Sequence, residues 1–103
     1  MTRRLTIQPD ALEDANEAYN WYENQLPGLG GEFYRELTRC IDLIVENPLL
    51  FRIVYRNLRK RKIERFPYVV FYYTTEKELS VISIFPAVRD PSIWKKRANR
   101  PKF

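Results

Sequence analysis

The sequence predicts an α+β fold, with two antiparallel helices packed on one face of a mainly antiparallel sheet of about four strands, in the order β-α-α-β-β-β. Three observations carry that reading. Tyr68 to Thr75 and Leu79 to Phe85 are dense in Val, Ile, Phe, Tyr and Thr, and the polar Glu76-Lys77-Glu78 divides them, as in an antiparallel hairpin. Upstream, Asp10 to Asn47 carries apolar residues at steps of three and four, the period of amphipathic helices. That span is broken once, at Pro27 to Gly31, where all three glycines of the protein fall within four residues.

Taken in order, Arg3 to Gln8 alternates weakly and reads as a short strand that Pro9 ends. Asp10 then offers an N-cap, with Glu13 three residues later completing a capping box. Leu12, Ala15, Tyr19, Tyr22 and Leu26 form the expected buried stripe of the first helix. In the second helix the stripe is Phe33, Leu37, Cys40, Ile41, Ile44 and Val45, with Glu32, Arg35, Glu36, Arg39 and Asp42 left to solvent; Asn47-Pro48 stops it. Leu49 to Tyr55 suits a short strand or an ordered loop. Leu58 to Phe66 has five Lys or Arg in nine residues, which suits an edge strand because charge discourages stray pairing. Leu58 and Ile63 have opposite parity, so a bulge is expected there if both point inward. Thr74 to Glu78 lacks an Asn-Gly pair, which leaves the hairpin register open. Past Pro86 and the Arg89-Asp90-Pro91 turn, Ser92 to Ala98 is read as one helical turn that folds Trp94 back on the sheet. Residues 99–103 are read as a flexible tail.

The hairpin strands are apolar at odd and at even positions, so both faces call for cover, and the helices supply one. The other face is expected to bind a partner. Charge indicates its character. The chain carries +5 overall, but Arg52 to Arg65 holds a balance of +6 and Arg89 to Phe103 one of +5, against −7 over Asp10 to Asn47. Basic segments beside an aromatic-rich sheet suit a polyanion or an acidic protein segment.

Composition narrows the rest. At 103 residues and 45% hydrophobic the chain reads as one domain, residues 1–103. No apolar run approaches the ~20 residues of a membrane span, and the start lacks a signal-peptide core, so a cytoplasmic protein away from membranes is expected. With one cysteine and no histidine, neither a disulfide nor a zinc site is expected, and no cofactor. Cys40 reads as a buried structural thiol. Catalysis would fall to Tyr, Arg, Lys or carboxylates.

Arg65-Phe66-Pro67-Tyr68-Val69-Val70-Phe71-Tyr72, the strand Ser80 to Phe85, and Arg89-Asp90-Pro91 with Trp94 and Arg97 resemble the RelE/ParE toxins of bacterial type II toxin–antitoxin modules. The resemblance runs from Leu5 to Arg97 and is stronger to the ParE-like branch, often labelled plasmid stabilisation proteins. It implies a toxin neutralised by a cognate acidic antitoxin, with DNA gyrase as the target and no small-molecule substrate. The RelE branch implies instead a metal-independent, ribosome-dependent mRNA endonuclease, and a non-toxic interaction domain on the same fold is the third reading. Nucleases of the RelE branch generally place a basic residue after the Tyr that opens the central strand, where this chain has Val69; many relatives also carry a His shortly after the last strand, where it has Phe85-Pro86-Ala87-Val88. For a nuclease, the candidate catalytic residues are Arg65, Tyr68, Tyr73 and Arg89. For antitoxin or target binding they are Arg59, Arg61, Arg65, Arg89 and Trp94.

Overall fold

The computed structural model describes residues 3–88 and 90–99. Strand β1 (Arg4–Ile7) leads into helices α1 (Pro9–Gln25) and α2 (Leu29–Glu46), followed by β2 (Ile53–Tyr55), β3 (Leu58–Lys62), β4 (Tyr68–Thr74), β5 (Glu78–Pro86) and α3 (Pro91–Ala98). The strands form one sheet in the order β1-β5-β4-β3-β2, with β1 parallel to β5 and the other pairs antiparallel. There are five strands where the sequence predicts about four. The additional one is β2, in the stretch that the sequence leaves between strand and loop. Its presence moves β3 in from the edge, so that β3 is paired on both sides.

As expected, α1 and α2 share one face. Phe33, Leu37, Ile41 and Ile44 of α2 form a buried core with Val70, Tyr72, Leu79, Val81 and Ile84 of the hairpin. The α1 stripe differs from the expected one. Ala11, Ala15, Ala18 and Tyr22 are buried, while Leu12 is 50% and Leu26 58% exposed. Three alanines let α1 lie close to the sheet, and close approach favours the narrow face over the leucines. The start of α1 also departs from the sequence reading. Gln8 is the N-cap, with extended backbone and no side-chain cap bond, and Pro9 is the first helical residue. Proline lacks an N–H there, so one of the orphan donors never arises. In α2, Val45 is exposed and Glu36 buried, the reverse of what the sequence predicts.

Two local devices set the register. Thr75 Oγ1 accepts from the amides of Lys77 (3.3 Å) and Glu78 (3.0 Å), so a threonine side chain shapes the hairpin turn in place of Asn-Gly. Within the hairpin Phe71 pairs with Ser83 but Tyr72 with Val81, which makes Ile82 an extra residue, a bulge in β5. The bulge shifts the phase of β5. Val81 faces the helices, Ile82 and Phe85 face away, and Ile84 faces the helices again. No bulge is needed in β3, because Leu58 and Ile63 are both buried on opposite faces.

The face away from the helical hairpin is not open. Eight-residue α3 lies over it, two turns where the sequence predicts one, and Trp94 stacks on Phe71 with ring centroids 4.5 Å apart. Val69, Phe71, Tyr73, Ile82 and Phe85 are all buried beneath it with Ala98. The expectation of an apolar sheet face left for a partner is therefore overturned. A short helix suffices because Leu58, Val69 and Phe71 also pack with Val54 and Tyr55 from the β2 side. Asn99, read as the start of a frayed tail, caps α3 and meets the Tyr55 hydroxyl through its side chain at 3.1 Å; the remainder of that tail lies outside the described residues.

Tyr72 at the centre of the helix-side core donates its hydroxyl to the Pro48 carbonyl at 2.7 Å, holding the chain where it leaves α2. Burial pushes its pKa from 10.0 up to about 12. A folded pKa above the unfolded one means stability is complete below pH 10 and declines as the pH rises towards 12. Tyr72→Phe is expected to destabilise the protein by about 1 kcal/mol at neutral pH. In urea titrations that difference should shrink between pH 10 and 12; an unchanged difference would show that the hydroxyl does not titrate as buried.

Candidate partner-binding site

The basic strand β3 alternates its side chains between the two faces. Arg59 donates to the carbonyls of Leu49 (3.2 Å) and Phe51 (2.7 Å), which binds the loop before β2 to the sheet. Arg61 lies over the Phe51 ring at 5.4 Å and donates to the Lys62 carbonyl. Beneath it the buried Cys40 sulfur sits 3.9 Å from the carbonyls of Arg61 and Lys62, and burial raises the thiol pKa, which disfavours the reactive thiolate. Arg65 has a left-handed backbone (φ 70°) and pairs with Glu32 at 2.6 Å and Glu36 at 3.8 Å. Its hydrogen bond to the Glu32 carboxylate, reinforced by that group's opposite charge, raises its pKa, so it stays a cation committed to α2.

The tyrosines separate. Tyr68 packs on the helix side, its ring 5.2 Å from Phe33 and 6.0 Å from Tyr22. Tyr73 is buried on the opposite face and donates to the Ala98 carbonyl at 2.6 Å. Five positions apart on one strand, they have opposite parity, and the bulge lies in the partner strand, where it cannot realign them. Arg65, Tyr68 and Tyr73 thus do not converge on a shared point. Arg89 lies outside the described residues. Trp94 is half-buried on Phe71, with the Lys95 ammonium 5.8 Å from its ring. Asp90 caps α3 by accepting from the Ser92 amide at 2.9 Å.

One constellation escapes sequence reasoning. Arg97 of α3 reaches round the edge of the sheet and binds Asp14 of α1, at 2.6 Å through Nη1 and 3.3 Å through Nη2. The same guanidinium meets the Ile82 carbonyl (3.3 Å) and the Ser83 hydroxyl (3.1 Å), and lies 4.6 Å over the Phe85 ring. Asp14 also accepts from the Ile84 amide at 3.0 Å. The reason is topological. β1 pairs β5 only as far as Val81, so the bulged end of β5 has backbone groups without a neighbouring strand, and Asp14 and Arg97 satisfy them. The only available sequence signal is Asp14 on the helix face that the alanines bury.

This β-α-α-β-β-β-β-α arrangement has close counterparts among known proteins. Residues 5–91 match the family model described as the ParE toxin of the type II toxin–antitoxin system parDE. The chain belongs to the ParE toxin family. Toxin ParE2 of Mycobacterium tuberculosis, a relative of the same kind, is 24% identical over 93 residues, 89% of each chain. Among solved structures, a chain of the chromosomal ParDE system from P. aeruginosa superimposes with TM-score 0.73 at 18% identity, covering 82% of this chain and 96% of the other. A mutant of E. coli toxin RelE in the free state gives 0.72 at 17% identity, covering 99% and 100%. The E. coli DinJ-YafQ complex gives 0.62 at 14% identity, covering 87% and 100%. These structural likenesses place the ParE-family chain in the RelE/ParE fold. Among its described residues, no helix is long and apolar enough to cross a membrane, and no group of His, Cys, Asp and Glu could hold a metal ion.

Proposed function

We propose that this ParE-family toxin acts by binding DNA gyrase rather than by cutting RNA, and that an acidic antitoxin neutralises it in the cytoplasm. The observation that carries the reading is the dispersal of Arg65, Tyr68 and Tyr73. RNA cleavage needs a base, a group that stabilises charge on the phosphorus and an acid around one phosphate. Here one tyrosine hydroxyl is tied to α3 on one face and the other ring sits in the helix-side core on the opposite face, while the arginine is held by two glutamates. Val69, buried after Tyr68, supplies no cation. The toxin expressed alone should induce a DNA-damage response, and with purified gyrase it should trap cleaved DNA. mRNA cut within codons by toxin plus ribosomes, with gyrase unaffected, would overturn this reading in favour of the endonuclease.

The antitoxin is proposed as an acidic segment drawn by the field of the basic strand. Of Arg59, Arg61 and Arg65, Arg61 is the cleanest probe, since the other two hold the loop and α2. Arg61→Glu should slow association with the antitoxin several-fold at low salt and flatten its salt dependence. Stopped-flow rates at two ionic strengths decide it, and unchanged rates at both would remove β3 from the interface.

A further inference from the structure

Helix α1 carries Asp10, Glu13, Asp14, Glu17 and Glu23 and no lysine or arginine. Asp14 is spent on Arg97, and Glu23 caps α2. Glu17 is exposed and makes no hydrogen bond or ion pair among the described residues. It stands at a cleft of about 190 Å³ where α1 meets the end of β5, lined also by Asp14, Trp21, Tyr68 and Phe85. Four residues on from Glu17, Trp21 shares its side of the helix. That indole is 57% exposed, and its one ring contact among the described residues is an edge contact with Tyr22 at 5.1 Å.

A cleft of this size falls below the ~300–1,000 Å³ of small-molecule pockets and suits the head of a single side chain. Its chemistry suits a cation. Indole is the best aromatic acceptor of a cation, and a carboxylate beside it adds a charge-assisted hydrogen bond. The same edge of the molecule already holds one guanidinium in this manner, since Arg97 lies 4.6 Å over the Phe85 ring while bonded to Asp14. A guanidinium is more weakly hydrated than an ammonium and stacks flat on rings, so the cleft favours arginine over lysine.

We propose that this cleft receives an arginine side chain of the toxin's protein target, stacked on Trp21 and hydrogen-bonded to Glu17. Charge selects the partner. The five acids of α1 repel an acidic antitoxin, so the antitoxin goes to the basic strand β3 and a basic target surface to α1. The site deepens the proposed action on gyrase, and rests on it, by naming the contact through which the target is held.

The test titrates the full 15N-labelled toxin with N-acetyl-arginine methylamide, its lysine counterpart and its neutral citrulline isostere. The protein has two tryptophans, so the Trp94 indole serves as an internal control. The Trp21 indole N–H should shift with arginine, respond several-fold more weakly to lysine and ignore citrulline. Glu17→Gln, at unchanged melting temperature, should remove most of the response. No response to arginine, an equal response to citrulline, or an equal shift at Trp94 would each overturn the site. With purified gyrase, Glu17→Lys and Trp21→Ala, both at exposed positions, should each weaken binding by at least about tenfold and leave antitoxin association unslowed. If both variants bind gyrase as tightly as the unaltered toxin, or lose the antitoxin instead, the cleft proposal fails and the target reading stands. If the unaltered toxin does not bind gyrase, the target reading fails, and the arginine titration decides the cleft.

Discussion

Arg97→Ala should lower the unfolding free energy by about 3 kcal/mol, a large share of the ~5–15 kcal/mol typical of a domain. The side chain of Arg97 is 15% and that of Asp14 8% exposed, so removing the guanidinium leaves a buried carboxylate without its cation. It also removes the donor to the Ile82 carbonyl and Ser83 hydroxyl, and the cover over Phe85. Arg97→Lys should recover only part of the loss, since a single ammonium cannot reach Asp14 through two nitrogens while also meeting Ile82 and Ser83. Asp14→Asn should do less harm than Arg97→Ala, because an amide oxygen can still accept from the Ile84 amide. Urea unfolding of the three variants measures this, and hydrogen exchange at Ile84 reports the edge directly. Combined Asp14→Ala/Arg97→Ala should be less destabilised than the sum of the single alanine variants. An additive result, or a loss under 1 kcal/mol for Arg97→Ala, would show that the pair does not clasp α1 to α3.

Gly30→Ala and Gly31→Ala should shift stability in opposite directions. A Cβ at Gly30 would lie 2.7 Å from the backbone oxygen of Tyr19 and 2.9 Å from its ring, so α1 and α2 would have to separate. Such overpacking costs about 1–3 kcal/mol, more than the roughly 1 kcal/mol that alanine's helix propensity returns. At Gly31 nothing lies within 4 Å of the added atom, and the same substitution is expected to stabilise by up to about 1 kcal/mol. The opening of α2 depends on this close approach in a second way. Glu23 of α1 accepts from the amides of Gly28 (2.9 Å) and Gly30 (3.0 Å), giving α2 the cap that its own N-cap glycine lacks. Melting temperatures of the two alanine variants check the prediction. Equal shifts would mean that helix propensity, and not the contact with Tyr19, governs both sites.

Reading the sequence alone locates what is written in short-range pattern. Steps of three and four residues identify α1 and α2, and the dense β-formers identify β4 and β5, because local propensity and periodic burial act within a few residues. The α2 stripe from Phe33 to Ile44 is legible for the same reason, since large side chains leave one way to bury a helix. In α1 the pattern misleads. Leu12 and Leu26 look like core, and only the docking distance to the sheet shows that Ala11, Ala15 and Ala18 fill the interface.

The candidate site was legible as chemistry and not as geometry. Arg59, Arg61 and Arg65 stand out by charge, yet what occupies their guanidinium groups is loop carbonyls, an aromatic ring and two glutamates. The apolar hairpin promised an open face, and a helix of eight residues closes it. What the sequence by itself determined is the order of the two helices and the hairpin, the α2 stripe and the charge polarity, all of which follow from neighbours along the chain. Tertiary structure decided the phase of β5 through Ile82, the opposite faces of Tyr68 and Tyr73, and the meeting of Asp14 with Arg97 across 83 positions. The physical reason is that β1 ends at Ile7, opposite Val81 of β5: orphan backbone groups of β5 beyond that pair draw in whichever side chains the packed layers bring within reach, and no local pattern records which those are.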